Sequence, residues 1–253
     1  MSHAIVKPDR EPSPRLMTPS PDADAFPHLL RKLVVRTMLS LLVLGVLLFG
    51  AAGTLLWPAA WVYLALVATM SFAGGTWLAE HDPALLDERL GSLIQRGQKS
   101  WDKLFMVPML AIRLGWYVLM GLDAGRYHWS NVPVFFQAIG FVLLCLGAYL
   151  VWLTLKTNSF AAPVVKIQKE RGHKVVTTGP YAYVRHPMYA GALLFGIGAP
   201  LLLGSWWGVL AAVGLFVLLG VRAVLEERTL AAELEGYAAY AERVRYRLVP
   251  RVW

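Results

Sequence analysis

The run Thr177-Thr-Gly-Pro-Tyr-Ala-Tyr-Val-Arg-His-Pro-Met-Tyr-Ala-Gly191 holds the densest set of chemically capable side chains in the sequence. Three tyrosines, an arginine and a histidine crowd around two prolines and two glycines, just ahead of an apolar stretch. Pro187 can open a helix there, and the free N–H groups and positive dipole end of that helix would welcome a carboxylate or similar anion. Tyr189 falls in the first turn of such a helix, and Gly191 would let a flat ligand approach the backbone closely. The plain alternative is that His186 and the tyrosines anchor a helix end among lipid headgroups.

A second constellation is Arg222, Glu226 and Glu227. Arg222 and Glu226 are four residues apart, share a helix face and can pair. Charges at the end of a long apolar run are costly and suggest function; the alternative is a snorkelling arginine with solvated acids. A third group, Tyr237, Tyr240, Arg243, Arg245, Tyr246 and Arg247, reads as a basic amphipathic surface element whose aromatics could form a lid. Arg113 is isolated inside an apolar run. The six histidines show no metal-ligand spacing, and Cys145 is the single cysteine, so neither a metal site nor a disulfide framework is expected.

The elements that must position these groups are membrane helices. Of 253 residues 57% are apolar and only 16% charged, and the mean hydropathy is +0.51, outside the range of an average soluble domain. The net charge of +8 raises the question of nucleic acid, but the basic residues sit between apolar runs rather than on one face, so no nucleic-acid partner is expected. Residues 1–28 are rich in proline and read as a disordered tail. Apolar runs at 33–56, 57–79, 104–122, 132–155, 188–203 and 206–225 predict about six transmembrane helices. Asp82-Pro83 predicts the start of a short interfacial helix over 82–96, with Leu85, Leu86 and Leu90 on its apolar face. A polar connection at 123–131 follows the third span. Gly204-Ser205 makes the last two spans a tight hairpin, which brings the His186 motif and Glu226 together. Beyond it, Leu230, Leu234, Tyr237, Ala241 and Val244 predict an amphipathic C-terminal helix. The chain thus divides into the tail, transmembrane helices over 29–155, and a C-terminal region over 156–253 that carries the chemistry.

Of the 24 Lys and Arg residues, 22 fall in the tail, the 80–103 and 156–186 segments and the C-terminus, counting helix-end Arg36 and Arg222. The positive-inside rule makes both termini and both polar segments cytoplasmic.

Gly179-Pro-Tyr-Ala-Tyr-Val-Arg-His-Pro-Met-Tyr-Ala-Gly191, then Glu226-Glu-Arg-Thr-Leu230, then Gly236-Tyr-Ala-Ala-Tyr240 resembles the isoprenylcysteine carboxyl methyltransferase family and its phospholipid methyltransferase relatives. The resemblance covers residues 158–253, and Asp82-Pro-Ala-Leu-Leu-Asp-Glu-Arg-Leu90 resembles bacterial members. It implies an all-α integral membrane protein of about six transmembrane helices with a cytoplasmic cofactor pocket, in a bacterial inner membrane. The implied donor is S-adenosylmethionine, leaving S-adenosylhomocysteine. His186, Pro187, Tyr189, Gly191 and Tyr181 would border it, Glu226 or Glu227 would hold its amino or ribose groups, and Arg185 and Arg222 would face the acceptor as catalytic residues. The implied partners are the bilayer and a lipophilic or small acceptor bearing a carboxylate, thiol or amine. Membrane sterol reductases share an Arg-His-Pro-x-Tyr-x-Gly element and bind a reduced nicotinamide cofactor, which the Glu226-Glu227 pair disfavours. A transporter or scaffold would instead place polar residues in the middle of several spans.

Overall fold

The computed structural model describes residues 25–253, and every residue assigned to secondary structure is helical. The first 24 residues, where most of the proline-rich tail is expected, lie outside the described residues; 25–28, counted with that tail, belong to the first helix. The helices are α1 (Ala25–Ala52), α2 (Pro58–His81), α3 (Pro83–Arg89), α4 (Ser100–Met120), α5 (Val134–Thr157), α6 (Pro187–Leu203), α7 (Trp206–Glu233) and α8 (Tyr237–Arg243). Five of these helical stretches are long and apolar enough to cross a membrane, and the chain is an all-α integral membrane protein.

The sixth expected span is the short one: α6 has 17 residues, at the lower end of the length that crosses bilayer hydrocarbon. It packs inside the bundle, with Gly198, Ala199, Leu201, Leu202 and Leu203 buried where α6 lies against α5 and α7. The contact with α5 is close because both surfaces are stripped to glycine. A Cβ on Gly140 would lie 2.5 Å from the Leu202 nitrogen, and one on Gly198 would lie 2.8 Å from the Gly140 carbonyl oxygen.

Local sequence explains the ends. Asp82 caps α3, its carboxylate accepting from Leu85 N–H at 3.0 Å with Pro83 at the first helical position. α3 stops at Arg89, well before residue 96, and its Leu85 and Leu86 pack with Leu29, Leu78 and Leu155. Gly204, at φ +86°, ends α6 in the left-handed region, and Ser205 then caps α7 by accepting from Gly208 N–H at 2.8 Å. The segment after α4 is not a polar loop: Gly121–Tyr127 continues the helix as a π-turn and carries the fully buried Asp123 inward.

The C-terminal amphipathic region is split. α7 runs through Glu226 and Glu227 to Glu233, and Gly236 at φ +80° makes the turn into α8. The predicted apolar face survives the break, because Leu234, Tyr237, Tyr240 and Val244 form one buried cluster with Leu230 and Ala241 packed against it.

Candidate active site

The start of α6, the last turns of α7, α8 and the irregular segment 158–186 enclose a cleft with a void of about 110 Å³. Backbone pairing holds the C-terminal segment beside the motif: Arg185 N–H donates to the Tyr246 carbonyl and His186 N–H to that of Arg247, both at 2.9 Å.

The expected meeting of motif and acids occurs, with a division of labour that the sequence does not reveal. Tyr189 donates its hydroxyl to Glu226 Oε2 at 2.5 Å. Glu226 is the one carboxylate among the described residues lining the cleft, and its Oε1 has no partner there. Glu227, one residue on, points elsewhere. Its carboxylate accepts from Arg185 Nε at 2.7 Å and Nη2 at 3.2 Å, from Arg247 Nε at 2.9 Å and from His186 Nε2 at 3.1 Å. Since a carboxylate only accepts, His186 carries its proton on Nε2, and its Nδ1 lies 4.0 Å from Glu226. The His186 and Tyr189 rings stack at 5.3 Å.

Each expected site residue can now be placed. Tyr181, His186, Pro187 and Tyr189 line the cleft with Glu226. Arg185 lines it too, but its guanidinium is spent on Glu227 and on the Ala241 and Val244 carbonyls, at 3.2 and 3.1 Å. Gly191 is not on the cleft; it faces α5, where a Cβ would lie 2.8 Å from Val151 Cγ2 and 3.1 Å from the Gly147 carbonyl oxygen. Glu227 is likewise off the wall, drawn away by its three basic partners. Arg222 does not pair with Glu226: its guanidinium lies 5.6 Å over the Tyr189 ring, behind the wall. It is held there by Asp102 Oδ1, 2.9 Å from Nε, and by the Pro163 carbonyl, 3.0 Å from Nη2. The free N–H groups expected at the start of α6 are partly used, since those of Tyr189 and Ala190 donate to the His186 carbonyl at 3.0 and 3.1 Å.

Sequence reasoning missed Asp102 and Asn158, and gave Tyr237 only a place in a surface element whose aromatics could form a lid. Asp102 is fully buried and accepts from Arg222, from Gln98 Nε2 and from Val165 N–H, the last two both at 2.9 Å. It stands just before an apolar run and looks like an ordinary interfacial charge; nothing local links it to a residue 120 positions on. Asn158 donates to the Tyr181 hydroxyl at 2.8 Å, and burial pushes the pKa of that hydroxyl above its usual value. Tyr240 donates to the Tyr181 carbonyl at 2.8 Å; burial raises its own pKa to about 12. The Tyr237 hydroxyl borders the cleft, buried and without a partner among the described residues. Over the cleft, Phe160 stacks on His173 at 4.6 Å. Burial, with Arg171 alongside, pushes the His173 pKa down, which suits a ring whose Nδ1 accepts from Gln168 N–H.

A profile of the phospholipid methyltransferase family matches residues 135–235. The protein-S-isoprenylcysteine O-methyltransferase of Schizosaccharomyces pombe is 33% identical over 111 residues, 43% of this chain and 46% of that protein. The enzyme of that name from Saccharomyces cerevisiae is 40% identical over 83 residues, 32% of this chain and 34% of its own. Protein-S-isoprenylcysteine O-methyltransferase B of Arabidopsis thaliana is 31% identical over 123 residues, 47% of this chain and 59% of its own. The matched stretch thus spans between about a third and three-fifths of these relatives. The chain is thus similar, over residues 135–235, to the phospholipid methyltransferase family, and over between about a third and a half of its length to these protein-S-isoprenylcysteine O-methyltransferases.

Proposed function

We propose that this protein is an S-adenosylmethionine-dependent membrane methyltransferase that methylates a lipophilic acceptor at the cytoplasmic face. The observation that carries the reading is Glu226: among the described residues the lone carboxylate on the cleft, oriented by Tyr189, with one oxygen unpartnered. That oxygen fits a cationic amino group or a ribose hydroxyl, and the unpartnered Tyr237 hydroxyl offers a second polar contact. A 2′-phosphate would meet repulsion at Glu226, which disfavours a nicotinamide dinucleotide.

The donor, when bound, supplies an electrophilic methyl group on a sulfonium. The rest is the work of this chain. Glu226 and Tyr237 bind and orient; Val164, Val165, Leu230 and Leu234 line the cleft and keep water out while charge is lost in the displacement. Alignment supplies the acceleration, so no general base is needed for an already anionic acceptor. Arg185 and Arg222 act as positioning residues: one holds Glu227 and the C-terminal segment, the other braces Tyr189 from behind. The void is below the roughly 300–1,000 Å³ of small-molecule sites, so a nucleoside-sized ligand needs side chains of the cleft wall to shift. A cytoplasmic site is supported by the basic residues gathered at its end of the helices.

Calorimetry on detergent-purified protein tests the reading with S-adenosylmethionine, S-adenosylhomocysteine and NADPH. Micromolar binding of the first two, lost in Glu226→Gln, supports it. Binding of NADPH alone, or of none of the three, overturns it.

A further inference from the structure

α7 carries a second feature on the side away from the cleft. Arg228 follows Glu226 by two residues, roughly 200° round the helix, so the two side chains leave on opposite faces. Along the Arg228 face, Val213, Val217, Val221 and Val224 form one stripe at spacings of four and three, and they line an open groove of about 630 Å³. Gly220 leaves room for the Trp253 indole to close the groove on one side: a Cβ there would lie 3.3 Å from Cη2 of the ring.

Arg228 is the one charged side chain on this groove among the described residues. The arginines nearby each have a carboxylate, Arg185 and Arg247 that of Glu227 and Arg222 that of Asp102. Arg228 has none among the described residues, and its helix neighbours three and four positions away are Val224, Leu225, Ala231 and Ala232, so α7 offers it no acid. Depth narrows the choice of ligand. Trp206 and Arg228 are about 33 Å apart along α7, which sets both at headgroup level in a bilayer with roughly 30 Å of hydrocarbon. From Arg228 to Val213 the groove runs about 22 Å, longer than the roughly 15 Å of hydrocarbon in one leaflet. An apolar trough of that length, with an uncompensated guanidinium at its headgroup end, is complementary to an acyl chain that ends in a phosphate.

Trp253 joins the groove to the site. Its carbonyl accepts from the Arg247, Leu248 and Val249 N–H groups at 2.9, 3.0 and 3.2 Å, and its ring centroid is 5.1 Å from the Arg247 guanidinium. Arg247 donates to Glu227, which also holds Arg185 and His186. We propose that this face of α7 binds an anionic phospholipid, one chain in the groove and the phosphate on Arg228, and that the lipid steadies Trp253 and the C-terminal segment beside the cleft. The lipid is a ligand and not a methyl acceptor, because the groove and Glu226 are on opposite faces of α7. The proposal holds whatever the cleft itself takes up.

The test uses the full-length protein in nanodiscs of equal parts phosphatidylglycerol and phosphatidylcholine, released into a native mass spectrometer that counts the lipids retained. Wild type retains phosphatidylglycerol about fivefold over phosphatidylcholine, the scale of one basic residue beside an anionic headgroup. Arg228→Gln loses that preference and Arg228→Lys keeps it. Val217→Trp, which fills the groove from an exposed position, retains less of both lipids. Hydrogen exchange reads the coupling: the Arg185 and His186 amides, bonded to the Tyr246 and Arg247 carbonyls, exchange about threefold more slowly in phosphatidylglycerol than in phosphatidylcholine nanodiscs. Trp253→Ala keeps the lipid preference and loses the slowing. Retention without preference, a preference that survives Arg228→Gln, retention unchanged by Val217→Trp, or exchange indifferent to lipid overturns the proposal. So does a protein dimer that Val217→Trp dissociates, since a second copy would then be what covers the groove.

Discussion

Replacing Asp102 by Asn leaves the buried Arg222 guanidinium with no carboxylate, only a neutral amide, the Pro163 carbonyl and an aromatic face for company. Arg222 is 7% exposed and Asp102 0% exposed, with 2.9 Å between Nε and Oδ1. Removing one partner of such a pair costs about 3–5 kcal/mol, much of it the penalty of the charge left behind. Arg222→Met strands the opposite charge: the Asp102 carboxylate keeps only Gln98 Nε2 and Val165 N–H, and a comparable loss is expected. The double variant buries no uncompensated charge, so it should be more stable than the two losses added together predict, by about 2–3 kcal/mol. The measurement is unfolding of the purified protein by SDS titration from mixed micelles, followed by the fluorescence of its 10 tryptophans. If the two single losses add to within about 0.5 kcal/mol, the pair is not coupled and the brace behind Tyr189 does not exist.

Three further outcomes follow from the geometry. Glu226→Gln should weaken S-adenosylhomocysteine by about tenfold or more with little change in stability, whereas Glu227→Gln, which loosens Arg185 and Arg247, should cost about 2 kcal/mol of stability; calorimetry and unfolding on both variants separate the two. Gly191→Ala should lower the melting temperature, because its Cβ meets Val151 and the Gly147 carbonyl, at about 1–3 kcal/mol, while Gly214→Ala, with nothing within 4 Å, should not; equal shifts would remove the packing role given to Gly191. His173 has a depressed pKa in the folded state, so the stability tied to its neutral ring is present above the unfolded value of about 6.5 and lost as pH falls through the lower folded value. Melting temperatures at neutral and mildly acidic pH should therefore fall less in His173→Phe than in wild type, and parallel declines would refute the assignment.

Much of the fold was legible because a bilayer imposes a simple rule: backbone polar groups must be satisfied within each span, so long apolar runs are helices. The runs, the Asp82 cap and the Gly204-Ser205 hairpin were readable on that basis. What an apolar run does not reveal is how it packs: α6 lies inside the bundle, against α5 through paired glycines, because those glycines let the two backbones approach. The break at Gly236 was missed because the apolar spacing from Leu230 to Val244 continues across it; the turn preserves the buried face while ending one helix and starting the next.

The sequence by itself determined which residue types gather at the site: a motif with Tyr181, His186 and Tyr189, and acids one hairpin later that must come near it. It also carried the family resemblance, since an ordered set of short motifs survives in the linear chain. What each side chain faces was decided only by tertiary structure. Glu226 and Glu227 are neighbours in sequence, but the helix turns them roughly 100° apart, one toward the cleft and the other into Arg185, His186 and Arg247. Arg222 and Arg89 are equally charged on paper, yet a buried aspartate 120 positions away pairs with Arg222, while Arg89 donates to the Ala161 carbonyl, because a burial partner is set by packing rather than by local sequence.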